Sequence, residues 1–517
     1  MTFNDKQKLS LLMVSHLCWG LVLRLSISKY GLGISTDSVH LLFGGLNLAE
    51  GRGLYSFDGS FLILWPPLYS VLLGFVHLIT GWSVFAAANV LQIVSLLGLS
   101  VCLSVLFLKI FPDDFLLAFT ANLLSDVGMV ILITFHTVGS DYIHLFFVIL
   151  FVLLTGYYIE SKNLRFLLAM SVIGMLAMLQ RYLGVAVIAM GVFLTFIYAH
   201  SLRERILRSA LLASSALPAG AWLVITSPLI DRRAPIPLAD NFQWFSKSII
   251  EWFLPADAVE ANLWVSIVCL WLVLIALIIL LIKFSPRYKT FSSFSTPVFA
   301  YGIFYLLALF GTASVAYYNK LDGRFLLPLY IPFILLLVAS FGILLRLASG
   351  IHSPTWARAA SVCVIGILVF IGMRLAAPTL SVVLETYDNG AAGDNAFNTK
   401  AWNENKAMLY WLNHTPKGSY LLLSNYPDGV SFFTGRPSFA SPKRFVGPYS
   451  KDEISLDQYP PELFSSGEDV YVIWVEPNIY DFYYSPKDLS AIAEIKTLYQ
   501  GTDGGVYQLS PKSNGRD

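Results

Sequence analysis

The strongest constraint on this chain is a series of apolar runs, each close to 20 residues long, separated by short polar breaks across its first 380 residues. They fall near 9–28, 62–80, 83–108, 114–135, 140–159, 164–180, 182–199, 206–226, 262–283, 297–317, 325–347 and 358–378. A bilayer core is crossed by about 20 apolar residues of helix. In lipid every backbone N–H and C=O must be paired internally, so each run is read as a helix. The expectation is a polytopic α-helical membrane protein with 11–13 transmembrane helices. Segment 62–80 is the doubtful span. It opens on Trp65-Pro66-Pro67, and proline fixes φ and removes a hydrogen-bond donor. The first run lacks a small-residue cleavage site and is followed by more spans, so it reads as a retained helix.

Charge divides the chain in two. Residues 1–380 carry 39 charged side chains and residues 381–517 carry 28. The first part reads as a membrane-embedded module, 1–380, and the second as a water-facing domain, 381–517. With 56% hydrophobic and 13% charged residues, against about 25% charged in ordinary soluble domains, a soluble cytoplasmic enzyme is excluded. The near-balance of 34 basic and 33 acidic residues gives no reason to expect nucleic acid as a partner. Cys18, Cys102, Cys269 and Cys363 all lie in apolar runs and read as small packing residues. In the tail, GSYLLLSN and EDVYVIWVE read as buried strands and GGVYQLS as a final strand. NTKAWNENKAMLYWLNHTP, with Thr399 as its cap, and PKDLSAIAEIKTLYQ read as helices. Together they predict a small α/β domain.

Lys and Arg between the spans orient the chain. The basic breaks at Lys6/Lys8, Lys162/Arg165, Arg203/Arg205/Arg208, Lys283/Arg287/Lys289 and Arg346/Arg358 are assigned to the cytoplasm. A first outer loop, 29–61, a second, 227–261, and the tail then lie on the far side. Residues 37–50 and 240–254 have the apolar spacing of amphipathic helices lying in the bilayer interface; for 240–254 the alternative is an ordinary loop helix packed on protein.

An ionisable group at the membrane is costly unless it has a partner or a role. Four such places fall on the inferred outer face. Asp37 follows the first span and suits a general base held near a membrane-borne substrate; the alternative is a helix N-cap. Asp141 opens an apolar helix near His136 and His144, where a metal site competes with capping and local hydrogen bonding. Arg181, in LQRYLG, has no adjacent carboxylate, and its planar fork matches a phosphate; the alternative is snorkelling to the interface. Lys320 and Arg324 flank Asp322, so the three form either a phosphate site or an internal salt bridge. Two carboxylates and three cations on one side of a membrane suit an anionic lipid-borne substrate with a phosphate leaving group.

Several motifs appear in a telling order: Asp37 followed by Trp65-Pro66-Pro67-Leu68-Tyr69; Ser140-Asp141; Gln180-Arg181-Tyr182-Leu183-Gly184; and Arg324-Phe325-Leu326-Leu327-Pro328, with SNYPDGVSFFTGRPS at 424–438 in the tail. In this the chain resembles the GT-C superfamily of polytopic glycosyltransferases, in the branch of the protein O-mannosyltransferases, the lipid A aminoarabinose transferase and many bacterial relatives. The resemblance covers nearly the whole chain. It implies an inverting transfer of sugar from a polyprenyl-phosphate donor to the hydroxyl of an extracytoplasmic glycan, lipid or protein. Asp37 would be the base and Asp141 a secondary catalytic group. Arg181, Arg324 and Lys320 would hold the donor phosphate. His40, Trp65, Pro66, Tyr69 and Tyr182 would support them. Many relatives have a second acid where Ser38 stands, and Glu where Asp141 stands; relatives using polyprenyl-phosphate sugars are generally metal-independent, so neither metal nor cofactor is expected. The implied location is a bacterial inner membrane, with the N-terminus cytoplasmic and the C-terminal domain periplasmic. Two rivals from other classes are a transporter or flippase of lipid-linked sugars, which would place its charges at mid-membrane and show inverted repeats, and a non-catalytic envelope assembly protein, for which the tail surface would matter more than Asp37.

Overall fold

The computed structural model describes residues 4–226, 235–254, 256–288, 292–316, 321, 323–351, 353–391, 397–445, 452–459, 463–464, 467–478 and 482–512. It divides into two compact units. One comprises Met1–Ser28, Ile63–Tyr69 and Phe85–Tyr387; the other comprises Lys29–Leu62, Ser70–Val84 and Asp388–Asp517.

The first unit is helical. Among the described residues, eight helices are long and apolar enough to cross a membrane: Asp5–Ser26, Val84–Ile110, Asp141–Ser161, Leu202–Thr226, Leu263–Phe284, Ser295–Ala313, Gly323–Ser349 and Pro354–Asn389. Leu164–Gln180 and Val185–Tyr198 are shorter. Burial separates centre from rim. Asp141–Ser161 and Gly323–Ser349 have 72% and 67% of their apolar windows buried, whereas Leu263–Phe284 has 11% despite the highest mean hydropathy, 3.4. A surface that apolar and that exposed belongs in lipid, and the chain is an integral membrane protein.

The run predicted at 114–135 is a broken helix. Phe115–Asp126 and Met129–His136 meet at 49°. At the break, a Cβ on Gly128 would lie 2.4 Å from the Tyr330 ring. The Tyr330 hydroxyl donates to the Leu124 carbonyl (2.7 Å) and Thr379 donates to that of Val127 (2.7 Å). Neighbouring side chains thus satisfy the carbonyls that the bend frees. His16, buried on the first helix, donates from Nδ1 to Asp126 Oδ1 at 2.5 Å.

The second unit gathers segments far apart in sequence. Helix Thr36–Ala49 starts at a reciprocal cap: Ser35 Oγ accepts the Ser38 N–H, and Ser38 Oγ accepts the Ser35 N–H. The cap alternative for Asp37 is therefore corrected, because Ser35 fills that position and Asp37 lies in the first turn. Helix Leu68–Thr80 is 13 residues long and packs closely on Thr36–Ala49 at Gly45 and Gly74. The sheet consists of β1 (Tyr420–Ser424), β2 (Phe439–Ala440), β3 (Asp469–Val475), β4 (Ala493–Gly501) and β5 (Gly504–Pro511), in the order β2-β1-β3-β5-β4. β1 pairs in parallel with β2 and β3, and β5 runs antiparallel to β3 and β4. Helix Lys406–His414 packs its buried Trp411 against Tyr471 of β3.

Two tail expectations are corrected. PKDLSAIAEIKTLYQ is helix only at Pro486–Leu489, and from Ala493 it is strand β4; Ile495 lies opposite Leu509 and Thr497 opposite Tyr507 on β5. Cross-strand pairing overrides the helical spacing of its apolar residues. NTKAWNENKAMLYWLNHTP forms two helices, Lys400–Asn403 and Lys406–His414, because Asn405 caps a second start at Met408 N–H. Thr399 does cap the first.

Candidate functional site

The charged positions fall into two constellations, one in each unit. In the helical unit, Asp141 is the first residue of helix Asp141–Ser161 and Arg181 caps the C-terminus of Leu164–Gln180. Arg181 leaves the helix in extended conformation (φ −150°, ψ 137°) before the short turn Tyr182–Gly184. That turn lies tight against the helix it follows: a Cβ on Gly184 would meet the Ala177 backbone at 2.5 Å. The break turns Arg181 back onto Asp141, and its guanidinium forms an ion pair with that carboxylate. The pair retains 22% and 13% side-chain exposure, so it is neither a free surface bridge nor sealed in the core. Gln180 Nε2 donates to the Ser140 carbonyl (3.3 Å), tying the same two helix ends together.

The late Arg-Phe-Leu-Leu-Pro block reaches this point too. The Arg181 guanidinium lies 5.9 Å from the centre of the Phe325 ring, within the range of a cation–π contact. Tyr305 donates to the Phe325 carbonyl (3.0 Å) and fixes that turn. Arg324, in the first turn of Gly323–Ser349, is exposed. Three sequence motifs (Ser140-Asp141, Gln180-Arg181 and Arg324-Phe325) therefore converge. Lys320 and Asp322 lie outside the described residues. Pro66 and Tyr69 are buried in the same unit, and Trp65 is half-buried. Tyr182 is half-buried. His136 and His144 have local partners: His136 Nε2 is 2.7 Å from Ser26 Oγ, and His144 Nδ1 donates to the Ala177 carbonyl at 3.1 Å.

In the second unit, Asp37 and His40 lie one turn apart on helix Thr36–Ala49 and face residues that spacing along the chain could not reveal. His40 Nδ1 is 2.5 Å from Ser56 Oγ, and its Nε2 is 3.5 Å from Asp428 Oδ1. Asp428 stands in the first turn of helix Pro427–Thr434, within the SNYPDG stretch. The His40 ring also lies against Phe57, centroids 5.1 Å apart. The Asp428 carboxyl is raised above its usual range, chiefly because burial penalises its charge; His40 pulls it down, and the carboxylates of Asp58 and Asp37 push it up. The loop is tied to the tail by backbone as well. Phe397 N–H donates to the Ile34 carbonyl (2.6 Å), and Asn398 Nδ2 donates to those of Tyr30 and Leu32. Sequence reasoning missed Asp428, Ser56 and Asp58. Asp428 lies in the SNYPDGVSFFTGRPS stretch, and Pro-Asp after a buried strand marks a helix start, but nothing there indicates His40 as its neighbour. Among the described residues no group of three or more His, Cys, Asp and Glu side chains is arranged to hold a metal ion.

No family model matches this chain, and no curated protein sequence does. Its fold, in contrast, has clear counterparts. The chain is similar to the crystal structure of ArnT from Cupriavidus metallidurans bound to undecaprenyl phosphate, at 12% identity and a TM-score of 0.59, over 96% of this chain and 97% of that one. It is similar to the archaeal oligosaccharyltransferase AglB from Archaeoglobus fulgidus in complex with an inhibitory peptide and a dolichol-phosphate, at 11% identity and a TM-score of 0.50, over 98% and 74%. It is also similar to the mycobacterial arabinofuranosyltransferase AftD, at 11% identity and a TM-score of 0.55, over 100% of this chain and 40% of that one. The chain shares the polytopic helical fold of these structures and carries a small C-terminal sheet domain.

Proposed function

We propose that this chain is an inverting glycosyltransferase that moves a sugar from a polyprenyl-phosphate donor to an acceptor hydroxyl at the extracytoplasmic face of a bacterial inner membrane. The observation that carries this reading is the fold, shared over almost the full length of a structure bound to undecaprenyl phosphate, together with Arg181 and Arg324 on converging motifs of the helical unit. Arginine forks match a phosphodiester better than any other side chain.

In this reading Asp37 takes the proton from the acceptor hydroxyl. The acceptor oxygen bonds to the anomeric carbon from the face opposite the phosphate. The bond from that carbon to the phosphate oxygen breaks, and the lipid phosphate leaves with the bonding pair. Arg181, Arg324 and Lys320 neutralise the charge that grows on it. Asp141 acts on Arg181: it fixes one edge of the guanidinium and orients the fork. The side chains, rather than a metal ion, carry the leaving phosphate's charge. His40, Trp65, Pro66, Tyr69 and Tyr182 shape the loops around the reacting groups. The acceptor is an envelope glycan, lipid or protein.

The test uses the full-length protein in lipid nanodiscs and undecaprenyl-phosphate-linked glucose, galactose, mannose and arabinose as donor probes. Release of undecaprenyl phosphate is followed by mass spectrometry. The wild type is expected to consume at least one donor. Asp37→Asn is expected to slow it by about 10²–10⁴-fold, the range for loss of a general base, with unchanged thermal stability because Ser35 remains the cap. Full turnover by Asp37→Asn would remove Asp37 from the chemistry.

A further inference from the structure

The second unit holds a partly buried carboxylate, Asp428, that faces a histidine on the helix of the proposed base. Asp428 and His40 each keep only 18% side-chain exposure. His40 is the hub of three segments that are distant in sequence: its own helix, the turn carrying Ser56, Phe57 and Asp58, and helix Pro427–Thr434. The titratable groups that act on Asp428 are His40, Asp58 and Asp37, and two of these three are acids. Burying a carboxylate beside two others opposes folding. A group that costs stability and stands beside the proposed base is where function is to be sought.

We propose that Asp428 is a positioning residue for the transfer reaction, acting on the Asp37 turn from the C-terminal segment. This rests on the glycosyltransferase reading above. Its carboxylate faces one nitrogen of His40 while Ser56 faces the other, so the ring is held from both sides and helix Thr36–Ala49 is fixed at the turn that carries Asp37. The proton itself goes from the acceptor oxygen to Asp37; Asp428 neither touches the sugar nor takes the proton.

Asp428→Asn keeps the shape of the side chain and removes the carboxylate that faces His40. In nanodiscs, with whichever undecaprenyl-phosphate sugar the wild type consumes, this variant is expected to lower kcat at least tenfold with the KM for the lipid donor unchanged. Its melting temperature should equal or exceed the wild-type value, because a buried charge has been removed. Asp428→Glu, which restores a carboxylate to face His40, should recover much of the rate. A wild-type kcat in Asp428→Asn overturns the inference. So does a loss of rate that only parallels a loss of folded protein, or a failure of Glu to do better than Asn. If Asp37→Asn is inactive while Asp428→Asn is unaffected, the inference alone falls. If the wild type consumes none of the four donors, the transferase reading falls and takes this inference with it.

Discussion

The placement of Asp37 depends on two glycines well away from it. Helices Thr36–Ala49 and Leu68–Thr80 cross where Gly45 and Gly74 meet. A Cβ added to Gly74 would lie 2.7 Å from the Gly45 carbonyl oxygen, and one added to Gly45 would lie 2.8 Å from Leu73 Cβ and 3.0 Å from the Ser70 carbonyl oxygen. These obstacles are backbone or the first atom of a side chain, so no rotamer change removes them. Ordinary contact begins near 3.4 Å, and Gly74→Ala must therefore push the helices apart by about 0.7 Å. Overpacking of this kind costs about 1–3 kcal/mol. The gain of a methyl in a helix returns about 0.5–1 kcal/mol. The net expectation is a destabilisation of about 0–2.5 kcal/mol. The kinetic effect should exceed this, since a displacement near 1 Å at a catalytic group costs up to about 10²-fold in rate. Gly220→Ala is the comparison: it also lies in a helix, but a Cβ there meets nothing within 4 Å. Thermal unfolding in detergent and donor consumption in nanodiscs are measured for both variants. Gly220→Ala should be neutral or slightly stabilising and fully active. If Gly74→Ala matches it in melting temperature and rate, the glycine crossing does not set the position of the Asp37 helix, and the reasoning is refuted.

Two further predictions concern charge. Arg181→Gln should weaken binding of undecaprenyl phosphate and lower kcat. It should also destabilise the helical unit, because Asp141 loses its partner in a partly buried ion pair; Arg181→Lys should restore charge but not the planar fork, leaving the rate well below the wild type in donor-consumption assays. Equal rates for Lys and Arg would remove the bidentate role. The second concerns pH. Because the Asp428 carboxyl is raised in the folded chain, the folded state binds its proton more tightly than the unfolded state. That contribution is complete below the ordinary Asp range and is lost as pH rises through the raised value. Melting temperatures from about pH 4 upward should therefore favour Asp428→Asn over the wild type by a growing margin. A margin that is constant with pH would contradict the assignment.

How much the sequence disclosed depended on whether a signal was local. The spans at 84–110, 141–161 and 323–349 were legible because the run of apolar side chains is itself the physical cause of insertion. The break at Val127–Gly128 was not legible, because its cause is the ring of Tyr330, some 200 residues further on. β4 was misread as helix because only its pairing with β5 selects strand. Asp141, Arg181 and Arg324 stood out as charges against apolar neighbours, yet their convergence needed the sharp exit at Arg181 and the position of Phe325. Asp428 lies in a tail where charge is common, so cost gave no warning there.

The sequence by itself determined that the chain enters a membrane, and it marked the few charges that stand among apolar runs. Hydrophobic transfer is additive along a chain, so composition suffices for that. Only the tertiary structure decided that Asp141 holds Arg181, that Ser35 rather than Asp37 caps the first-loop helix, and that His40 meets a carboxylate from the far end of the chain. Ion pairs and caps depend on distances of a few ångströms, and those are fixed by packing rather than by order in the sequence.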